Sequence, residues 1–453
     1  MSGIPLSSIA QHLGTSDSSP DIAITGMALD SRKVVAGDLF VAIEGAQRDG
    51  HEFIETAREN GAVAALVSRN VAAEIPTLEV DDTVAASAEI GRYARQCFTG
   101  TVVAITGSAG KTTAKTLLSE VLSRAGATIA TIGNENNELG VPLTLSRLFQ
   151  QPEYAVIEMG AAQLGDIRYL KSLARPNLVI LLNALDAHVG RFGGVDAIAQ
   201  AKGEILDDLS ADQVAVINAD QPWTEAWRQR ALPARVVTFG MSADADVRAT
   251  AVDDDGVRGS RISVDCFGHK LAVSMSVPGR AGTMNALATI AAAKVLGVSS
   301  DLVIGGLEAT EVVPGRGEVK RLDNGASLID DSYNASPASV MASIEVLAKA
   351  PSPRIAVLGD MLELGDQSEQ FHREVGAATD LASIDQVIAV GPAAKSIADA
   401  RRGASLHVDS VDYLVTDLPE FPSNSTILIK GSRSVGLDRL VTALTQPFGA
   451  TAC

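Results

Sequence analysis

Residues 104–113 read AITGSAGKTT, a stretch whose residue types suit the cradling of a nucleotide triphosphate. The common phosphate loop, G-x-x-x-x-G-K-[ST], requires a glycine six residues before the lysine, yet Ile105 stands there and the first glycine is Gly107. Gly107, Ser108, Ala109 and Gly110 would leave backbone N–H groups open to phosphate oxygens, since glycine carries no Cβ to block the approach. Lys111 would reach the β- and γ-phosphates, Thr112 would hold Mg2+ through its hydroxyl, and Thr113 completes the motif. The plainer alternative is a glycine-rich turn followed by a solvated lysine.

Further along, VIEMG carries Glu158 and LLNALDAHVGRFGG carries His188, each just past an apolar run. Ligands of open α/β sheets bind outside the carboxyl ends of the strands, so both side chains can converge on the phosphate loop. Taken alone, Glu158 could equally cap a helix and His188 could be packed. Lys202, in AIAQAKGEIL, reads by itself as an exposed helical lysine.

The elements that must position these residues are short apolar strands alternating with Ala- and Leu-rich helices. TVVAIT, ATIATI, EYAVIEMG, NLVILLN and DQVAVIN are continuous apolar runs, as expected of a parallel sheet buried on both faces. Their spacing predicts a doubly wound α/β core. Residues 1–97 read as a smaller α/β unit ending in the helix VAASAEIGRYARQCF, and 98–314 as the central unit closed by the helix PGRAGTMNALATIAAAKVLG. Residues 315–453 read as a third, Rossmann-like α/β unit with strands near SLIDD, RIAVLGD, QVIAVG and TILIKG, joined through VVPGRGE. The polar, strand-like stretch 243–277 reads as a hairpin insertion.

At 453 residues the chain exceeds one ordinary core, since domains commonly hold about 100–200 residues. Its 46% hydrophobic and 20% charged residues describe a buried, globular protein. The balance of 37 basic against 55 acidic residues, a net charge of −18, repels polyanions and argues against a nucleic-acid partner. No apolar run approaches the ~20 residues that cross a bilayer, and the N-terminus lacks the pattern of a signal peptide. Three widely spaced cysteines, Cys97, Cys266 and Cys453, suit a reducing cytoplasm and suggest neither a disulfide frame nor a zinc site.

Taken together, these stretches resemble the Mur ligases, whose phosphate loop T-G-[ST]-x-G-K-[ST] also dispenses with the outer glycine. The likeness extends over nearly the whole chain. It is carried by DSRKVVAGDLFVAIEGAQRDGHEFI (30–54), TIGNENNELGVPLTL (131–145), EMGAAQLGDI (158–167), DDSYNASPASV (330–340) and VLGDMLELGDQSEQFH (357–372). The resemblance implies an ATP- and Mg2+-dependent ligase that joins D-alanyl-D-alanine to UDP-N-acetylmuramoyl-tripeptide, working as a cytoplasmic monomer. It implies Glu158 and His188 as Mg2+ ligands and Lys202 as a carbamylated lysine whose new carboxylate binds a second Mg2+.

The same resemblance implies that Arg316 reaches the ATP phosphates and that Asp331, Asn334 and Asn285 contact the nucleotide. Ser31 and Arg32 would meet the uridine and pyrophosphate, and Asn136 and Asn137 the sugar-peptide. Lys430, Ser432 and Arg433, in KGSRSVGLDRL, would offer cationic and polar donors to the dipeptide carboxylate. One departure stands out: the family's G-x-H-N-x-x-N appears as GRAGTMN, with Ala281 and Gly282 in place of His-Asn. The rival readings are a related ligase that adds a single amino acid to UDP-MurNAc-dipeptide, folylpolyglutamate synthase, and a non-catalytic ATP-binding module. The D-N-P-R, D-Y-A-H and D-G-A-H-N-P signatures of the two enzymatic rivals do not occur.

Overall fold

The computed structural model describes residues 3–15, 21–187 and 189–446. Its largest sheet has nine strands. In spatial order they are His269–Met275, Ser260–Cys266, Val247–Asp254, Arg235–Gly240, Val214–Asn218, Leu178–Leu181, Thr101–Thr106, Tyr154–Glu158 and Thr128–Ala130. Successive residues of Thr101–Thr106 serve two different cores. Val102 and Ala104 pack with Ile90, Val141 and Leu170 on one face, while Val103 and Ile105 pack with Leu117, Leu118 and Ile290 on the other. Helices on both faces leave no wet side, which is why TVVAIT is apolar throughout rather than alternating.

From Thr101–Thr106 the chain passes through the helix Lys111–Ser123 to the edge strand Thr128–Ala130, returns at Tyr154–Glu158, and then crosses to Leu178–Leu181 on the opposite side. The strand order therefore reverses about Thr101–Thr106, and the crevice of such a switch point opens where the phosphate loop begins. The segment 243–277 contains the expected hairpin, Ser260–Cys266 against His269–Met275, but belongs to the central sheet rather than standing apart as an insertion. Its three strands continue the central sheet, the first parallel to Arg235–Gly240 and the next two antiparallel. Arg235–Gly240, absent from the strands expected above, follows the short turn 231–234 and pairs in parallel with Val214–Asn218.

Toward the N-terminus lies a four-stranded parallel sheet of Gly26–Ala28, Asp38–Val41, Ala64–Val67 and Thr77–Glu79. The helix Thr83–Cys97 follows, its start fixed by Asp82, whose carboxylate accepts from Val84 N and Ala85 N. Apolar residues of this helix share one continuous core with Leu39 and Leu66 on one side and Val102 and Ala155 on the other. Contact between the two sheets is therefore packed rather than linked by a free tether.

A third sheet runs Glu318–Arg321, Ser327–Asp330, Thr426–Lys430, Arg354–Gly359, Gln386–Val390 and Ala404–Val408, parallel except for its first strand. Its two edge strands, EVKR and ASLHV, are largely polar and escaped the sequence reading because edges need no continuous apolar run. The linker is bound to this sheet by Gly317 N to Asp330 O at 2.8 Å and Tyr333 N to Gly315 O at 3.0 Å. Among the described residues no helix is long and apolar enough to cross a membrane.

Candidate active site

The loop after Thr101–Thr106 is built around Gly110, which takes a left-handed conformation with φ 83° immediately before the helix Lys111–Ser123. A Cβ there would fall 2.5 Å from Asn285 Oδ1, so both backbone and space demand glycine. Asn285 thus stands directly behind the loop. Asn183, two residues beyond the neighbouring strand Leu178–Leu181, holds the loop from the other side. Its Oδ1 accepts from Ala109 N at 3.0 Å and its Nδ2 donates to Ala109 O at 3.1 Å. Ser108 adds a backbone bond to Asn183 O at 3.1 Å and accepts from Leu185 N at 3.0 Å.

Lys111 Nζ donates to the carbonyl of Gly107 at 2.8 Å, folding over its own loop. Burial pushes its pKa down and the nearby Arg316 adds to the effect, while Glu158 opposes it. Thr112, at the first turn of the helix, is buried and lines the cavity beside Lys111.

Glu158 closes the strand Tyr154–Glu158 and is 1% exposed. Its Oε1 accepts from Asn136 Nδ2 at 2.7 Å, whereas its buried Oε2 has no hydrogen-bond donor and lies 3.8 Å from Lys115 Nζ. Lys115, unremarked in the sequence, donates to Thr131 O at 2.8 Å and Gly133 O at 3.2 Å. One buried ammonium therefore ties the carboxylate to the segment that leads into Asn136 and Asn137. Asn137 Oδ1 accepts from Gly140 N at 3.0 Å, capping the helix Gly140–Ser146.

Lys202 is not the exposed helical lysine its sequence context suggests. It is 2% exposed, with Nζ 3.5 Å from Ala161 O and over the Phe192 ring at 5.8 Å. Burial, reinforced by the positive charge of Lys111, brings its pKa down to about 7, against the weaker pull of Asp166 and Glu204. His188 lies outside the described residues.

From the third sheet, Arg316, Tyr333 and Asn334 reach the same space, and the Arg316 guanidinium stacks 4.0 Å from the Tyr333 ring centre. The result is a cavity of about 490 Å³ walled by Ser108 to Thr112, Asn136, Asn137, Glu158, Lys202, Arg316 and Asn334, together with Tyr169, Arg191 and Glu363. Segments separated by some two hundred residues of sequence thus share one space.

Other expected residues lie elsewhere. Asp331 faces away from the cavity: its Oδ2 accepts from Lys430 Nζ at 2.7 Å and Ser343 Oγ at 2.6 Å. Lys430 is 4% exposed and also donates to Asn334 O at 3.0 Å, so it is committed within the protein rather than free for a carboxylate, as a buried ammonium must be. Ser432 Oγ accepts from Leu362 N at 2.9 Å, and Arg433 pairs with Asp438 at 3.0 Å. Ser31 is buried beside the exposed Arg32, whose guanidinium makes a two-point contact with its own neighbour Asp30 at 2.8 and 2.7 Å. Neither Ser31 nor Arg32 is in the cavity wall. Gly107 and Thr113 flank the loop without lining it.

Gly282 gives the departure in GRAGTMN a physical setting. It sits in the first turns of the helix Gly279–Val295, where a Cβ would come 2.7 Å from Val277 O. No asparagine fits there on this backbone. Among the described residues no group of three His, Cys, Asp or Glu side chains is placed to hold a metal. The groups near the loop that could hold a metal are Thr112, the Glu158 Oε2 that accepts no hydrogen bond, and the Lys202 amine.

Comparison with known proteins gives matches along nearly the full length. The profile of the Mur ligase family catalytic domain matches residues 23–95, that of the Mur ligase middle domain 105–293, and that of the glutamate ligase domain 315–433. UDP-N-acetylmuramoyl-tripeptide–D-alanyl-D-alanine ligase of Escherichia coli K12 is 37% identical over 450 residues, covering 98% of this chain and 99% of that protein. The enzyme of that name from Bacillus subtilis is 32% identical over 434 residues, 93% of each chain. Among solved structures, MurF from Acinetobacter baumannii superposes with a TM-score of 0.87 at 31% identity, covering 98% of this chain and 99% of that one. MurF ligase from Thermotoga maritima, solved in complex with ADP, gives 0.81 at 31% identity over 94% and 98%. A UDP-N-acetylmuramoyl-L-alanyl-D-glutamate–2,6-diaminopimelate ligase and a folylpolyglutamate synthase from Mycobacterium tuberculosis stand at 18% and 17% identity, a likeness of fold alone.

Proposed function

The chain belongs to the Mur ligase family, and from that premise we infer that its interdomain cavity is the place where a peptide carboxylate, ATP and an incoming amine meet. The protein is an ATP-dependent, ADP-forming ligase that joins D-alanyl-D-alanine to UDP-N-acetylmuramoyl-tripeptide in peptidoglycan precursor synthesis. Supporting the site assignment is one observation above the rest: Lys111, Glu158, Lys202 and Arg316, drawn from distant segments, line a single cavity.

In our reading the terminal carboxylate of the tripeptide attacks the γ-phosphorus, and ADP leaves. The amine nitrogen of D-alanyl-D-alanine then attacks the acyl carbon, the bond to phosphate oxygen breaks, and the nitrogen loses its proton. Lys111 and Arg316 face the developing phosphoryl charge, and the loop N–H groups at the helix N-terminus add to the field. Asn136 and Asn137 orient the sugar-peptide, while Asn285 and Asn183 hold the loop and Asn334 meets the nucleotide. Ser31 and Arg32 bind the uridine diphosphate end, and Arg433 takes the dipeptide carboxylate. Asp331 serves the nucleotide indirectly, by fixing Lys430 and through it the carbonyl of Asn334.

Mg2+ would be held by Thr112, Glu158, His188 and Lys202 in carbamylated form, and it would neutralise charge on the transferring phosphoryl group. The buried Glu158 Oε2 fits that role, since it accepts no hydrogen bond and its counter-charge, Lys115 Nζ, comes no nearer than 3.8 Å. An amine with a pKa near 7 is substantially neutral at physiological pH, the form that adds CO2. We assign residues 1–97, 98–314 and 315–453 to the UDP-sugar, ATP and closing domains, in a cytoplasmic monomer.

The test is phosphate release by the purified chain. Turnover is expected only when ATP, UDP-MurNAc-tripeptide and D-alanyl-D-alanine are all present. Equal turnover with a single amino acid and UDP-MurNAc-dipeptide would overturn the assignment.

A further inference from the structure

Tyr333 has no part in the roles above, yet its ring meets the guanidinium groups of both Arg316 and Arg433. Arg316 stacks 4.0 Å from its ring centre, and Arg433 lies over the same ring at 5.7 Å. Both distances are within the range in which a guanidinium is attracted to an aromatic face. The backbone beneath the ring is fixed on both sides. Tyr333 N donates to Gly315 O at 3.0 Å, and a Cβ on Gly315 would lie 3.3 Å from Tyr333 Cβ, so the linker passes against the tyrosine with no slack. On the other side Lys430, at the head of the segment carrying Arg433, donates to Asn334 O at 3.0 Å and to Asp331 at 2.7 Å.

Arginine side chains in solvent sample many rotamers, and a planar guanidinium held on a ring gives up that freedom before its ligand arrives. Tyr333 lines the cavity together with Arg316, Lys111 and Thr112. Arg433 also forms an exposed ion pair with Asp438 at 3.0 Å. We propose that Tyr333 is a positioning residue that holds Arg316 and Arg433 on one ring and thereby couples nucleotide binding to dipeptide binding. The inference rests on the roles given above to Arg316 and Arg433. It goes beyond them in making the two sites energetically dependent on a residue that need contact neither ligand.

The experiment uses the full chain with Tyr333→Leu, Tyr333→Phe and Arg433→Lys. Steady-state phosphate release gives KM for ATP, D-alanyl-D-alanine and UDP-MurNAc-tripeptide, and calorimetric titration gives Kd for ADP. Tyr333→Leu is expected to raise KM for both ATP and the dipeptide about threefold to tenfold, the usual worth of an arginine–aromatic contact, with KM for the UDP-tripeptide unchanged. Tyr333→Phe, which keeps the ring, is expected to stay within about twofold of the parent for all three. Arg433→Lys keeps the charge but not the flat stacking surface, and is expected to weaken ADP binding although no dipeptide is present. An unchanged ADP Kd in Arg433→Lys, a Phe variant as impaired as Leu, or a Leu variant altered toward one substrate only would each overturn the coupling. Should the Leu variant fail to fold, the Arg433→Lys titration decides alone. Failure of the functional reading shows separately, as parent protein that binds ADP but makes no product.

Discussion

The Asn183 side chain grips both backbone polar groups of Ala109, accepting from its N–H at 3.0 Å and donating to its carbonyl at 3.1 Å. A carboxamide offers its acceptor and its donor on two separate atoms, and its position two residues past Leu178–Leu181 sets the phosphate loop relative to the next strand. Asn183→Ala removes two hydrogen bonds of about 0.5–1.5 kcal/mol each, so KM for ATP should rise roughly tenfold while KM for the UDP-tripeptide holds. Initial-rate kinetics decide it. Unchanged ATP dependence would mean that the loop does not rely on this clamp.

Gly110→Ala forces a left-handed backbone on a residue with a Cβ, and that Cβ points 2.5 Å from Asn285 Oδ1. The conformational part alone costs about 1–2 kcal/mol. ADP affinity, read by titration, should fall by more than tenfold, and the double change Gly110→Ala with Asn285→Ala should recover part of the loss. No recovery would show that strain at φ, not contact with Asn285, dominates.

Lys115 binds two carbonyls and faces Glu158 from a buried position, with burial lowering its pKa against the attraction of that carboxylate. Lys115→Met keeps the length and removes the charge, leaving Thr131 O and Gly133 O unpaired and Glu158 without its cation. A loss of about 3 kcal/mol in unfolding free energy is expected from urea denaturation. A variant as stable as the parent would place the ammonium outside the group's energetics.

Lys202 supplies a pH signature. Its folded pKa, about 7, is depressed below the ordinary lysine value of 10.5. Between those limits the unfolded chain binds the extra proton and the folded chain does not, so Lys202 contributes a rise in stability with pH across about 7 to 10.5 and a penalty below it. Carbamate formation follows the neutral amine. With 13C-bicarbonate, a carbamate carbon resonance should be stronger at pH 8 than at pH 6 and missing from Lys202→Ala. A resonance that survives in Lys202→Ala would assign the carbamate to another lysine.

How far the sequence reaches can be judged residue by residue. TVVAIT, EYAVIEMG and NLVILLN were legible as strands because each lies in a sheet covered on both faces, and burial on both sides writes itself as an unbroken apolar run. EVKR and ASLHV were not legible, because an edge strand takes half its pairing from solvent and carries no such run. The loop glycines and Lys111 were legible for a local reason: the strand-loop-helix geometry is set within ten residues.

Asn183 and Tyr333 were visible in the quoted stretches but gave no signal of what they hold, since each acts on a partner more than seventy residues away or on a neighbouring loop. Lys202 and Lys430 show the boundary most plainly. Both are lysines on ordinary-looking segments, and both are buried, one with a lowered pKa beside the phosphate loop and the other spent on Asp331. The chain by itself determined which residues could bind phosphate, metal and peptide, because those capacities belong to side-chain chemistry and short-range backbone geometry. Only the folded arrangement decided which of them face the cavity and which are consumed holding it together, because burial and charge pairing are set by segments that meet across three sheets.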